Sequence, residues 1–171
     1  VHMLEVIDLI LESIEQVLDS GPIAREPITG VIVRLKDMVL HEDSIHRGPA
    51  QVIPAVRDAM KGAFSQAQPI IKEPVQKIRI DTPMKFFGDV SKLVSSRRGQ
   101  LVDTQYEGED TIITAKLPVA ESFGFMSDLR SATEGRGGWS LIDSRFEDLP
   151  RDLQEGVIKK IRSRKGLSAN Q

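Results

Sequence analysis

Leu101-Val102-Asp103-Thr104-Gln105-Tyr106-Glu107-Gly108-Glu109-Asp110-Thr111-Ile112-Ile113-Thr114-Ala115-Lys116-Leu117 sets two β-rich runs on either side of an acidic turn containing glycine. Leu101 to Gln105 and Ile112 to Leu117, joined across Glu107-Gly108-Glu109-Asp110, read as two paired strands. Upstream, Phe87, Val90, Leu93 and Val94 recur at helical spacing until Gly99 stops them, and Ile78 and Ile80 mark an earlier strand. Downstream, Phe123, Met126, Leu129 and Ala132 predict a second helix, Gly135-Arg136-Gly137-Gly138 breaks it, and Trp139 to Phe146 offer a last strand. The order βαββαβ is the split βαβ, or ferredoxin-like, plan.

Glu73-Pro74 marks a boundary, because the pattern restarts behind it; residues 74–149 are read as one domain. Ahead of it, Leu4, Ile7, Ile10, Leu11, Ile14, Val17 and Leu18 form an amphipathic helix closed by Ser20-Gly21-Pro22. Val31, Val33 and Leu35 alternate with Ile32, Arg34 and Lys36, which predicts a half-buried strand running up to His41. The polar stretch from His41 to Pro49 is an exposed loop feeding a helix N-terminus. Val52, Ile53, Val56, Met60, Ala63, Phe64 and Ala67 define that helix, ended by Pro69, with Pro54 in its first turn or bending it. A final helix, set apart over residues 150–167, follows Pro150 on Leu153, Val157, Ile158 and Ile161. The fold class is α+β: helix-strand-loop-helix over 4–73, the ferredoxin-like domain, then the C-terminal helix. Val1-His2-Met3 has no signal-peptide character and reads as a cloning remnant, and Ser168 to Gln171 as a frayed tail.

Composition narrows the function classes. The 171 residues are 40% hydrophobic and 28% charged, ordinary for a globular protein, and no stretch approaches the roughly 20 apolar residues of a membrane span. The absence of cysteine excludes disulfides, thiolate zinc sites and thiol catalysis, and fits a reducing cytoplasm. A net charge of −2 supplies no overall basic field, so any contact with nucleic acid must be local. Lys159, Lys160, Arg162, Arg164 and Lys165 are the local candidate, either as rRNA phosphate contacts or as a solvated last helical turn favoured by the helix dipole.

No G-x-x-x-x-G-K-[ST] phosphate loop, dinucleotide fingerprint or G-x-S-x-G elbow is present in the sequence. Gly135-Arg136-Gly137-Gly138 suits a helix-to-strand turn. His41, Asp43 and His46 offer nitrogen and oxygen donors, but in H-x-D-x-x-H spacing, which is not the i, i+4 pair of a metalloprotease helix. A histidine at the tip of a strand-loop-helix unit, beside Arg47 and ahead of exposed helix amides, is placed to touch RNA phosphate.

The run Leu40-His41-Glu42-Asp43-Ser44-Ile45-His46-Arg47-Gly48-Pro49-Ala50-Gln51-Val52-Ile53-Pro54 resembles the tip of domain IV in elongation factor 2 of archaea and eukaryotes. Gly21-Pro22-Ile23-Ala24, Glu26-Pro27, Ala67-Gln68-Pro69, Arg97-Arg98-Gly99, Leu117 to Phe125, Asp128-Leu129-Arg130 and Arg164-Lys165-Gly166-Leu167 resemble the same family in order and spacing, so the likeness spans residues 4 to 167. It implies part of domain IV followed by domain V of a ribosomal translocase. It also implies that His46 is the histidine converted to diphthamide, and that diphtheria-type toxins ADP-ribosylate it. The family's loop enters the decoding centre and contacts the codon–anticodon helix, which assigns contact roles to His41, Asp43, Ile45, His46, Arg47 and Gly48, with His41 and Asp43 more as shapers of the loop.

The resemblance further implies a cytoplasmic protein whose partners are ribosomal RNA, tRNA and mRNA, diphthamide synthesis enzymes and toxins. This part carries no catalytic residue, metal or cofactor; GTP and magnesium belong to the G domain of a full-length GTPase. The family's domain IV has strands upstream of the first helix, so the strand at Val31 to Leu35 lacks partners and invites a homodimer or swapped assembly. Two other readings compete. A stand-alone RNA-binding module would need stacking aromatics on the central strands, where only Tyr106 is available and aromatics total 5%. A metal-dependent enzyme would be built on His41, Asp43 and His46.

Overall fold

The computed structural model describes residues 3–168, so the expected remnant at Val1-His2 and the tail beyond Ser168 lie outside the described residues. The chain divides into two units. One takes the residues up to Ile70 together with those from Pro150 onward, and the other takes Ile71–Leu149.

The first unit opens with α1 (Met3–Asp19). Its buried stripe is Val6, Ile10, Ser13 and Val17, spaced by four, three and four residues, with the Ser13 hydroxyl donating to Leu9 O. Leu4 and Leu11 face outward, 83% and 52% exposed, so the covered face is rotated from the one the apolar run suggests. The helix ends where Gly21 N donates to Glu26 O, and a Cβ on Gly21 would stand 2.8 Å from that same oxygen. The loop therefore requires glycine there.

The strand expected from Val31 to His41 does not form. No ladder runs along residues 31–41, and Val31, Ile32, Val33 and Leu35 are all exposed. Alternation supplies side chains for a sheet face, but a strand exists only when its amides and carbonyls meet a neighbour, and none lies alongside among the described residues. Only Met38 and Leu40 reach the small core made by Val6, Ile10 and Val52. An apolar cleft of about 950 Å³ is left between α1, this segment and α2 (Pro49–Gln66), lined by Ile14, Ile28, Val33, Val56, Met60 and Phe64. Pro54 is the sixth residue of α2, past its first turn.

The second unit is a four-stranded antiparallel sheet of order β2-β3-β1-β4, made of β1 (Lys72–Pro83), β2 (Gln100–Glu107), β3 (Asp110–Pro118) and β4 (Gly138–Asp148). Helices α3 (Phe87–Ser96), α4 (Val119–Ser122) and α5 (Phe125–Ala132) complete the βαββαβ order. Glu107 pairs with Asp110 across Gly108-Glu109; Gly108 has φ +65° and Glu109 is not in the left-handed region, the pattern of a type II′ hairpin. Ile78, Ile80, Ile113, Ala115 and Leu117 from the sheet close on Val90, Val94, Phe125 and Leu129 from the helices.

Two details differ from expectation. Phe123 is 77% exposed, because Gly124 turns left-handed (φ +77°) and hands the core position to Phe125, whose ring meets Trp139 edge to face at 6.2 Å. β1 begins at Lys72, ahead of the Glu73-Pro74 step; at Pro74 the strand pairs with β4 alone, since the β3 ladder starts at Val75, and a residue without an N–H is tolerated there. The last helix, α6 (Arg151–Arg164), belongs to the first unit and is not a separate element.

Candidate functional site

The loop from His41 to Gly48 is shaped by its own polar groups. Asp43 N donates to His41 Nδ1 (3.1 Å), and Asp43 Oδ1 accepts from Ile45 N (3.1 Å). The capped residues Ser44–His46 make one 3₁₀ turn, closed by His46 N to Asp43 O (3.1 Å) and Arg47 N to Ser44 O (3.0 Å). Gly48 then serves as the N-cap of α2, with Pro49 at its first position, where a missing N–H costs nothing.

This places His46 at an exposed corner, its ring edge-on to His41 with centroids 4.6 Å apart, and Ile45 beside it is 75% exposed. Arg47 does the opposite. It is 8% exposed; Nη1 donates to His41 O (2.8 Å) and Glu42 O (2.6 Å), and Nη2 meets Glu5 Oε2 on α1 (2.9 Å). Its charge is spent on holding the loop, which removes Arg47 from the outward-facing groups. Glu5 was not legible from sequence, where an acidic residue in a first helical turn is routine.

Two of the donor atoms that a metal-enzyme reading would use are engaged. His41 Nδ1 and Asp43 Oδ1 are already taken by backbone amides, and no cluster able to hold a metal ion occurs among the described residues. Gly135-Arg136-Gly137-Gly138 is no phosphate cradle either: Gly137 N donates to Thr133 Oγ1 (2.7 Å), and a Cβ on Gly137 would lie 2.6 Å from that oxygen.

The basic run near the end of α6 splits. Arg162 is 6% exposed, donating from Nε to Ser168 O and from Nη1 to Ile23 O, and Lys165 donates to Arg25 O and pairs with Glu26. These two fasten α6 to the loop after α1 and are not free for phosphate. Lys159 pairs with Glu155 one turn back and holds that carboxyl below its ordinary range. Lys160 and Arg164 stand exposed.

On the sheet, Tyr106 pairs opposite the buried Thr111 and therefore lies on the helix-covered face. The opposite face carries Val75, Lys77, Arg79 and Asp81 on β1 and Asp143, Arg145 and Glu147 on β4, with Arg79–Asp81, Arg145–Asp143 and Lys116–Glu147 paired. It offers no aromatic platform for bases.

No helix among the described residues is long and apolar enough to cross a membrane. The described residues thus carry an exposed histidine loop in one unit and a ferredoxin-like sheet in the other. Family models agree with that division. "Elongation factor G, domain IV" matches residues 1–68 and "Elongation factor G C-terminus" matches residues 70–157. The chain belongs to the translation elongation factor family that these two models describe. It is similar to elongation factor 2 of Nanoarchaeum equitans (52% identical over 98% of this chain and 22% of the relative), Methanocaldococcus jannaschii (50%, 98% and 23%) and Pyrococcus horikoshii (47%, 99% and 23%). The chain thus spans less than a quarter of the length of the curated relatives it matches.

Proposed function

We propose that this chain is the ribosome-engaging part of an elongation factor 2, acting in GTP-dependent translocation of tRNA and mRNA in the cytoplasm, with the His46 loop as the group that enters the decoding centre. The observation that carries the reading is the exposed imidazole of His46 on a turn whose neighbours are internally bonded, directly ahead of the N-terminus of α2. A projecting cation on that ring would meet RNA phosphate or sugar while the scaffold stays fixed. His46 would be the diphthamide and ADP-ribose acceptor, served by diphthamide synthesis enzymes and attacked by ADP-ribosylating toxins. His41 and Asp43 shape the turn, Ile45 and Gly48 flank the contact, and Lys160 and Arg164 remain as candidate rRNA phosphate contacts.

GTP hydrolysis on magnesium is assigned to a G domain elsewhere in a longer protein. The unladdered segment beside the apolar cleft supports the further proposal of a homodimer when this chain is studied alone. Mass spectrometry of the tryptic peptide Asp37–Arg47 from the native source tests the functional reading. A mass addition localised to His46 is expected, and an unmodified ring would remove the reading's central residue.

A further inference from the structure

Among residues 41 to 47 only Arg47 is buried; the other six are exposed, and the 3₁₀ turn that carries His46 buries nothing. The turn is therefore anchored through one guanidinium. A buried guanidinium is charged, and an anion beside it offsets more of the loss of water than neutral carbonyls do. The anion supplied is Glu5, 42 residues away in sequence on the first turn of α1, at 2.9 Å from Nη2.

We propose that Glu5 is the positioning residue of the His46 loop. It fixes the Arg47 fork, the fork fixes the carbonyls of His41 and Glu42, and those carbonyls set the direction in which the turn presents His46. The inference deepens the reading of His46 as contact group and rests on it for its biological meaning. Its geometry stands apart from that reading. Without the carboxylate, the guanidinium gains more by turning to water than by staying under the loop, and the turn loses its only buried tie. Glu5 reaches the turn through Arg47.

Amide hydrogen exchange in this chain, read by NMR at Ile45, His46 and Arg47, tests it in the wild type, Glu5→Gln and Glu5→Asp. Loss of one charge-assisted bond from a half-exposed carboxylate should speed exchange at these three amides about fivefold in Glu5→Gln. Amides within α1 and α2 should be unchanged, and Glu5→Asp, which keeps the charge, should recover most of the protection. Unchanged loop exchange in Glu5→Gln overturns the proposal. So does acceleration spread evenly through α1 and α2, which would make Glu5 a general stability residue. An unmodified His46 in the native source bears on the functional reading alone, and the exchange data still decide the role of Glu5.

Discussion

Arg98 and Glu73 meet fork to fork, Nη1 to Oε1 at 3.0 Å and Nη2 to Oε2 at 2.9 Å, while Arg98 Nε donates to Glu121 at 3.1 Å. One side chain ties the start of β1, the end of α3 and α4. The bonds to Glu73 are the largest cause holding the Arg98 guanidinium more basic than usual. Arg98→Ala should cost the sheet unit about 2 kcal/mol in urea unfolding, because the pair is only partly exposed and Glu73 is left without its partner. Arg98→Lys should recover less than half, since an ammonium cannot span both oxygens. Equal stability of the lysine variant and the wild type would show that only charge matters.

Gly99 follows in a corner with no room for a side chain. A Cβ there would stand 2.7 Å from Val94 Cγ1, 2.8 Å from Val94 O and 2.9 Å from Lys116 O, and two of the three are backbone atoms that cannot swing aside. Gly99→Ala should destabilise the sheet unit by about 2–3 kcal/mol in denaturant unfolding. Gly62, with open space around its Cβ position, is the control: inside α2, Gly62→Ala should stabilise by about 1 kcal/mol or less.

Asp143 is held below its ordinary carboxylate range, first by the bond from Arg145 and then by Ser144 N. A carboxyl depressed in the folded state adds stability above its unfolded value, and that contribution fades as pH falls through the lower folded value. NMR titration should find the Asp143 midpoint below that of a free aspartate, and Arg145→Gln should move it upward. The group is exposed, so added salt should erode the shift.

Residues 31–35 carry exposed apolar side chains and unladdered backbone beside the cleft. Sedimentation should show concentration-dependent self-association of this chain. Val33→Lys, which puts a charge at the cleft wall, should shift the distribution to monomer. A wild type that stays monomeric at millimolar concentration would exclude the homodimer.

Much of the sheet unit is legible in sequence because its signals are local: the Gly108 hairpin, the Val90-Val94 stripe and the glycines at each end all act within a few residues. The Phe123-to-Phe125 exchange was not, since a single left-handed glycine shifts which aromatic points inward. In the helical unit, alternation at Val31 to Leu35 misled, because a strand needs a partner that no run of side chains can announce. At the candidate site, the motif singles out His46, His41 and Asp43. The anchoring of Arg47 by Glu5 is not legible there, because the ion pair between them closes over 42 residues and leaves no periodic trace.

Leu149 N donates to Ile71 O at 3.1 Å, so the sheet unit begins and ends at one point, and the chain on either side of it belongs to the same helical unit. The sheet unit is in this sense a domain inserted into its neighbour. During synthesis it can fold as soon as Leu149 emerges, whereas the earlier-made helices must wait for α6 and its Arg162 before their own unit closes. The helices made ahead of the sheet unit are therefore finished after it.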